Sequence, residues 1–334
     1  MSLRDATVGE LFDRAKSGER RALGRLLTHI ERGRTAADEV AELTHPLSGS
    51  THVVGLTGAP GSGKSTLTGR LGSTFHARGG RVGIVAIDPS SPITGGAILG
   101  DRIRMDEVVD RETTFIRSMA TRGHSGGLAL AVPGAIRVLD AVGYDPVIVE
   151  TVGVGQVEVD IAGAADTTVI VVTPGWGDAV QANKAGLLEV GDVFVVNKAD
   201  RAGAADARRD LDLMLDLTDL GDWRPPVVMT TATDGEGLDA LADAIEAHRD
   251  HLATSGELQT RRAARLHGEL RSHMHRIVQN FADRRLDAAE RHRDAVVARD
   301  LSPAAAARRV LADVNDLPSD IYDEPTDSAE QDQR

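Results

Sequence analysis

The sequence contains no cysteine, which excludes disulfide bonds, thiolate metal sites and cysteine nucleophiles. Aromatic residues make up only 3% of its 334 residues, so a core has to be built mainly from valine, isoleucine, leucine and alanine. No apolar run approaches the ~18 residues of a membrane-spanning helix, and the first residues lack the apolar stretch of a signal peptide. We therefore expect a cytoplasmic protein with no membrane partner.

Positive charge is also in deficit. Lysine and arginine number 38 against 51 aspartates and glutamates, which gives a formal net charge of −13. Such a balance opposes non-specific attraction to phosphate backbones, so we expect no nucleic-acid partner.

The most specific pattern in the chain is a glycine-rich stretch that fits G-x-x-x-x-G-K-[ST] at every position. It reads Gly58-Ala59-Pro60-Gly61-Ser62-Gly63-Lys64-Ser65-Thr66. A short apolar segment that reads as a strand precedes it, and a helical pattern follows it, which is the context that a phosphate-binding loop requires. Backbone N–H groups of the loop and the helix N-terminus would surround phosphate oxygens, while Lys64 reaches the β- and γ-phosphates.

Short apolar runs alternate with helical patterns through the middle of the chain. The predicted strands cover residues 52–57, 81–87, 113–117, 146–150, 167–173, 192–196 and 226–230. Continuous apolar strands that alternate with helices predict an α/β fold with a mostly parallel sheet and helices on both faces. Ligands of such sheets bind at the carboxyl ends of the strands.

A guanine-binding pattern follows one of these strands. Asn197-Lys198-Ala199-Asp200 matches N-K-x-D, in which one carboxylate accepts from the ring N–H and the exocyclic amine of guanine. Adenine offers no such pair, and a carboxylate buried without a partner would penalise it. The stretch Thr231-Ala232-Thr233 follows the next strand, where a backbone N–H is expected to meet guanine O6.

Three oxygen-bearing residues are candidate Mg²⁺ ligands. Ser65 lies in the phosphate loop, and Asp88 and Glu150 end two predicted strands beside that loop. Beyond Glu150, Gly153 is placed to bring a backbone N–H to the γ-phosphate of GTP. Gln156 lies three positions past Gly153, so a water-positioning glutamine directly after the glycine is missing.

Together with Asp88-Pro89-Ser90-Ser91 and the segment 98–105, these motifs make the chain resemble the MeaB/ArgK family of methylmalonyl-CoA mutase-associated GTPases. The family includes the human methylmalonic aciduria type A protein. The resemblance spans roughly residues 1–315 and implies a P-loop NTPase of the SIMIBI class that binds GTP or GDP with Mg²⁺. It also implies a homodimer and a chaperone role toward adenosylcobalamin-dependent methylmalonyl-CoA mutase. Lys184, in a switch over residues 174–184, would by this resemblance join Lys64 and Glu150 as a catalytic residue.

Four segments are predicted. A helical extension covers residues 1–48, the GTPase domain 49–255, a helical dimerisation arm 256–316 and a disordered acidic tail 317–334. In a long helical pattern, apolar residues recur every three or four positions at Leu266, Leu270, Met274, Ile277 and Phe281. The pattern fits an amphipathic helix packed on its own domain, or a dimerisation arm, which is what the family resemblance implies.

Other functions fit the same phosphate loop. A small-molecule kinase would use it without a need for guanine selectivity, so nucleotide preference separates the two readings. A metal-insertion GTPase needs metal-collecting histidines or cysteines, and the chain has no cysteine and no histidine-rich tract. A scaffold that binds nucleotide without hydrolysis would release no phosphate.

Overall fold

A computed structural model of the chain describes residues 5–33, 35–88, 114–120, 131–151, 163–175 and 189–312, together with Leu3 and Ile161. Seven strands lie within these residues, and all of them belong to one sheet. They are β1 (Val53–Gly58), β2 (Val82–Asp88), β3 (Thr114–Ala120), β4 (Val147–Thr151), β5 (Thr167–Val172), β6 (Val193–Asn197) and β7 (Val227–Thr230).

All pairings between neighbouring strands are parallel, and the strand order is β3-β2-β4-β1-β5-β6-β7. β1 lies in the middle, where Val53 pairs with Val147 of β4 and Gly55 with Thr168 of β5. Because every strand runs in the same direction, the residues that follow β1, β4, β6 and β7 meet at one edge of the sheet. The predicted α/β fold is confirmed.

Ten α-helices are present in the described part of the chain. They are α1 (Val8–Lys16), α2 (Arg20–Arg32), α3 (Thr35–Thr44), α4 (Lys64–Ala77), α5 (Ala131–Ala141), α6 (Ala204–Asp216), α7 (Leu238–Ser255), α8 (Glu257–Ala288), α9 (Glu290–Val297) and α10 (Pro303–Ala312). Within these residues, no helix combines the length and the apolar character needed to cross a membrane.

Side chains on the two faces of the sheet enter different core clusters. On one face, Val169 and Val171 of β5 pack with Leu71 of α4 and Leu241 of α7. On the other face, the intervening Ile170 packs with α6. Since both faces of β5 are covered by apolar side chains, its sequence lacks the polar alternation of a half-exposed strand.

The N-terminal helices extend the core on the face that carries α5. Thr7 caps α1: its hydroxyl accepts from Glu10 N at 3.3 Å, and Glu10 Oε2 accepts from Thr7 N at 2.9 Å. This is the reciprocal capping arrangement that T-x-x-E predicts. Leu11 of α1 and Leu23 of α2 are then fully buried in the same cluster as Leu139 of α5.

The chain divides into two compact units, residues 1–265 and 266–334. The first unit contains the sheet and the helices on its two faces. The second contains the remainder of α8 from Leu266 onward, with α9 and α10. The four segment boundaries predicted from the sequence stay predictions.

Candidate functional site

The predicted phosphate loop connects β1 to α4, and its glycines occupy positions that other residues cannot. Gly58 has φ +146°, and a Cβ there would lie 2.1 Å from Val171 O. Gly63 has φ +89°, and a Cβ there would lie 2.5 Å from Asn197 Nδ2. Both the left-handed backbone and the close neighbours therefore require glycine. α4 begins at Lys64 with no side-chain cap on its first N–H groups, so the helix presents open donors to an anion.

Lys64 lies inside this loop and is only 6% exposed. Its Nζ donates to Gly58 O at 2.6 Å and to Ala59 O at 3.0 Å. The amino group is thereby held between the loop carbonyls. Its predicted role, contact with the β- and γ-phosphates, stays a prediction.

Two of the three candidate Mg²⁺ ligands are in direct contact. Ser65 Oγ donates to Glu150 Oε1 at 2.6 Å, and Glu150 is 1% exposed at the end of β4. Asp88 ends β2, the strand beside β4, and its side chain lies outside the described residues. A hydroxyl beside a buried carboxylate is an oxygen donor set that suits Mg²⁺, so the residues present fit this ion.

Asn197 ties the phosphate loop to the loop that follows β7. Its Nδ2 donates to Ser62 O at 2.8 Å, and its Oδ1 accepts from Thr230 Oγ1 at 3.1 Å and from Ala232 N at 3.2 Å. Lys198, next in the chain, adopts φ +58° and donates from Nζ to Gly61 O at 2.7 Å. The N-K-x-D motif and the phosphate loop are therefore one connected structure.

Asp200 is exposed, and its carboxylate forms no hydrogen bond or ion pair with another described residue. The carboxylate is thus available to a ligand. The chain alone leaves Asp200 in water, so a bound base has to cover this carboxylate before a missing partner on adenine can carry a penalty.

The loop after β7, here called the base loop (residues 231–235), has one N–H that is not used within the described part of the chain. Four of its five N–H groups donate internally: Thr231 to Glu236 O, Ala232 to Asn197 Oδ1, and Asp234 and Gly235 to Thr231 O. Thr233 N donates to no described acceptor. Of the three residues predicted to meet the base, Thr233 therefore offers the open backbone donor.

One contact of the base loop has no signal in the sequence. Arg70 of α4 donates from Nη2 to Thr233 O at 3.0 Å. The two residues are 163 positions apart, so only the packing of α4 against this edge of the sheet reveals the contact.

Gly153 and Lys184 lie outside the described residues, as do Gln156 and most of the predicted switch. Their predicted roles are unchanged by the structure. The described part brings together the phosphate loop, Ser65 with Glu150, and the N-K-x-D motif with the base loop.

A parallel sheet with this loop, this motif and this strand order defines a P-loop GTPase. The family model described as "Methylmalonyl Co-A mutase-associated GTPase MeaB" matches residues 23–289, and the chain belongs to that family.

Named relatives agree with this assignment. A protein of Pyrococcus abyssi that is named as a GTPase is 46% identical over 314 residues, which are 92% of this chain and 97% of that one. GTPase ArgK of Escherichia coli is 36% identical over 77% of this chain and 80% of its own length. The mouse protein named methylmalonic aciduria type A homolog, mitochondrial, is 33% identical over 76% of this chain and 66% of its own length. The chain is accordingly a GTP hydrolase that binds guanine nucleotides.

A solved structure is also similar over nearly the whole chain. It is described as an LAO/AO transport system kinase and superposes with a TM-score of 0.68 at 28% identity, covering 93% of this chain and 99% of that one.

Proposed function

We propose that this GTPase is Mg²⁺-dependent and acts in the cytoplasm as a chaperone of an adenosylcobalamin-dependent methylmalonyl-CoA mutase. It would control the loading of the cofactor into the mutase and protect or reactivate that enzyme. The observation that carries the proposal is the family match over residues 23–289, because the family's own description is mutase-associated. The mouse relative, whose name refers to methylmalonic aciduria, supports the same partner.

The residues of the site have separate tasks in this proposal. Residues 58–66 bind the phosphates through backbone N–H groups, and Lys64 offsets their negative charge. Asp200 and the base loop select guanine. Ser65 and Glu150, with Asp88, hold Mg²⁺, which when bound neutralises charge on the phosphates.

Hydrolysis by the chain alone should be slow. The sequence has no glutamine directly after Gly153 to position water, and the phosphate loop contains no arginine. Each of those two functions can contribute orders of magnitude to phosphoryl transfer. We infer that mutase binding acts on residues 174–184 and brings Lys184 to the phosphates.

The test is GTP turnover at saturating Mg²⁺ with and without the cognate mutase. The mutase should accelerate the wild type, and Lys184→Ala should remove most of that acceleration, expressed relative to the variant's own basal rate. Lys16→Ala, which changes an exposed lysine of α1, is the matched control and should be accelerated like the wild type. Omission of Mg²⁺ should abolish turnover in every sample.

Two results would count against this mechanism. A free enzyme that is already as fast as the complex would remove the need for a partner. A Lys184→Ala variant that is still fully accelerated would remove Lys184 from the mechanism, although it would leave the GTPase itself intact.

A second function has one observation in its favour, the description of the similar solved structure as a transport system kinase. A kinase would pass the γ-phosphate to a small molecule instead of to water. Quantifying inorganic phosphate against GDP decides between the two, because a hydrolase releases both in equal amounts without any added acceptor.

A further inference from the structure

Arg70 connects the helix that carries the phosphate loop to the loop predicted to contact the base. It lies on α4, which begins at Lys64, and its Nη2 donates to Thr233 O at 3.0 Å. The first turn of this helix therefore supplies phosphate-loop residues, and its second turn supplies a hydrogen bond to the base loop.

Within the described part of the chain, the hydrogen bond to Thr233 O is the main polar interaction of Arg70. Arg70 forms no ion pair within the described part of the chain, and its Nε is buried without a hydrogen-bond partner there. By contrast, Arg78 at the other end of α4 pairs with Asp239, Asp243 and Glu246. Burying part of a guanidinium is costly unless it makes a useful contact, and for Arg70 the described contact is the carbonyl of Thr233.

The base loop is held on both sides of its open donor. Ala232 N is bound by Asn197 Oδ1, and Thr233 O is bound by Arg70. Between these two ties lies Thr233 N, the one N–H of the loop with no described acceptor. Fixing the backbone immediately before and after a free donor reduces the conformational freedom that would be lost when a ligand binds it.

We propose that Arg70 is a positioning residue for guanine selectivity, which fixes the base loop so that Thr233 N–H donates to O6 of guanine. The proposal rests on the guanine contact proposed above for the base loop. Guanine presents an acceptor at position 6, whereas adenine presents an amino group whose hydrogens would oppose the same N–H. A well-fixed donor therefore favours guanine and disfavours adenine.

The experiment compares GDP with 6-thio-GDP in the full-length protein. The analogue keeps the N–H groups that Asp200 would bind but replaces O6 by sulfur, a weak acceptor. In the wild type, GDP should bind more tightly than 6-thio-GDP. Arg70→Met keeps the apolar stem of the side chain and removes its donors, so it should weaken GDP binding by roughly tenfold and 6-thio-GDP binding by much less.

The ratio of the two affinities is the decisive readout, because a loss of general structural support would weaken both nucleotides equally. Arg70→Lys should recover part of the ratio, since an ammonium can still donate to a carbonyl. Arg209→Ala, which removes an exposed arginine of α6, should keep the wild-type ratio. Thermal unfolding of each variant checks that it is folded. If Arg70→Met is unfolded, the affinities of Arg70→Lys for GDP and 6-thio-GDP are compared with those of the wild type instead.

Equal losses for GDP and 6-thio-GDP in Arg70→Met, or no loss for either, would overturn the role of Arg70. A wild type that binds ADP as tightly as GDP would instead overturn the guanine contact itself. The two failures are therefore distinguishable.

Discussion

At the scale of single residues, Asp200 is a predicted base contact whose carboxylate is open to solvent and forms no hydrogen bond or ion pair with a described residue. Its neighbours in the motif already form hydrogen bonds within the chain. Asn197 bonds to Ser62 O and to the base loop, and Lys198 bonds to Gly61 O. The motif therefore divides into two residues that build the site and one that is left for a ligand.

Asp200→Asn should reverse the base preference. A carboxylate accepts from both N–H groups of guanine, whereas an asparagine amide can donate to the second carbonyl oxygen of xanthine. We expect the variant to bind GDP about 10- to 100-fold more weakly, as is typical of lost hydrogen bonds to a charged group, and to bind XDP more tightly than the wild type does. Competition of GDP, XDP and ADP against a fluorescent guanine nucleotide measures all three affinities.

Asp206→Asn, which neutralises an exposed aspartate of α6, is the control for the change in charge. Equal affinities of the wild type for ADP and GDP would contradict the role of Asp200.

At the scale of residues, only part of the site could be predicted from the sequence. The phosphate loop and N-K-x-D are local patterns, so the sequence predicts where they lie. The hydrogen bonds of Asn197 with Ser62 and of Arg70 with Thr233 join positions far apart in the chain, and no local pattern encodes them.

At the scale of elements, the amino-terminal edge of the sheet carries a polar network opposite the nucleotide edge. Asp166, at the start of β5, is fully buried and is bound by Arg262 at 2.9 Å and by Arg265 at 3.1 Å, both from the first part of α8. Burial alone would raise the pKa of Asp166, but the hydrogen bonds and charges of these arginines hold it below its ordinary value of 3.8.

His52 lies at the same edge, just before β1, and is 3% exposed. Its Nε2 is 2.8 Å from Thr167 Oγ1. Burial lowers the pKa of His52 from 6.5 to about 4; Arg249 and His248 also lower it, and Asp166 and Asp145 oppose the shift. The folded chain therefore keeps this imidazole neutral well below neutral pH.

The stability of the first unit should consequently fall as the pH drops from 6.5 to 4. In that window the unfolded chain binds a proton at His52 that the folded chain does not, so acid favours unfolding, by about 2 kcal/mol between pH 7 and pH 5 for a shift of this size. Urea unfolding at pH 7 and pH 5 measures the effect. His52→Gln, which can keep a hydrogen bond to Thr167 but cannot titrate, should lose most of this dependence.

His76→Gln removes an exposed histidine of α4 and is the control. Asp166 does not affect the comparison between pH 7 and pH 5, because the stability that its ionised carboxylate contributes is lost only below its ordinary pKa of 3.8. An unchanged pH dependence in His52→Gln would contradict a neutral buried imidazole.

The elements were largely predictable because their signals are local. All seven predicted strands exist, with ends that differ by a few residues; β3 extends to Ala120 instead of ending at residue 117. The strand order was not predictable in this way, since it depends on which face each connecting helix covers. The long helical pattern after residue 258 divides at Ala289 into α8 and α9, and no glycine or proline marks that division.

At the scale of the whole molecule, the second unit carries an unusual surface. Leu266, Leu270, Met274 and Val278 of α8 are each between 46% and 60% exposed. They recur every four residues and so form a single stripe along one side of the helix. In a monomer this much aligned apolar surface would remain in water, which is unfavourable.

We expect this stripe to be the dimerisation surface predicted for residues 256–316, so that the protein is a homodimer in solution. The double variant Leu270→Glu/Met274→Glu places two charges in the stripe, and burying unpaired charges costs several kcal/mol, enough to dissociate an interface of ordinary size. Light scattering on a size-exclusion column should give twice the chain mass for the wild type and the single chain mass for this variant. Gln279→Glu adds a charge nine residues after Leu270, which is about two and a half turns and places it on the opposite side of α8, so it should leave the dimer intact. A wild type that is monomeric at every concentration would contradict the homodimer. A double variant that remains dimeric would move the interface elsewhere, to surfaces that do not depend on the α8 stripe.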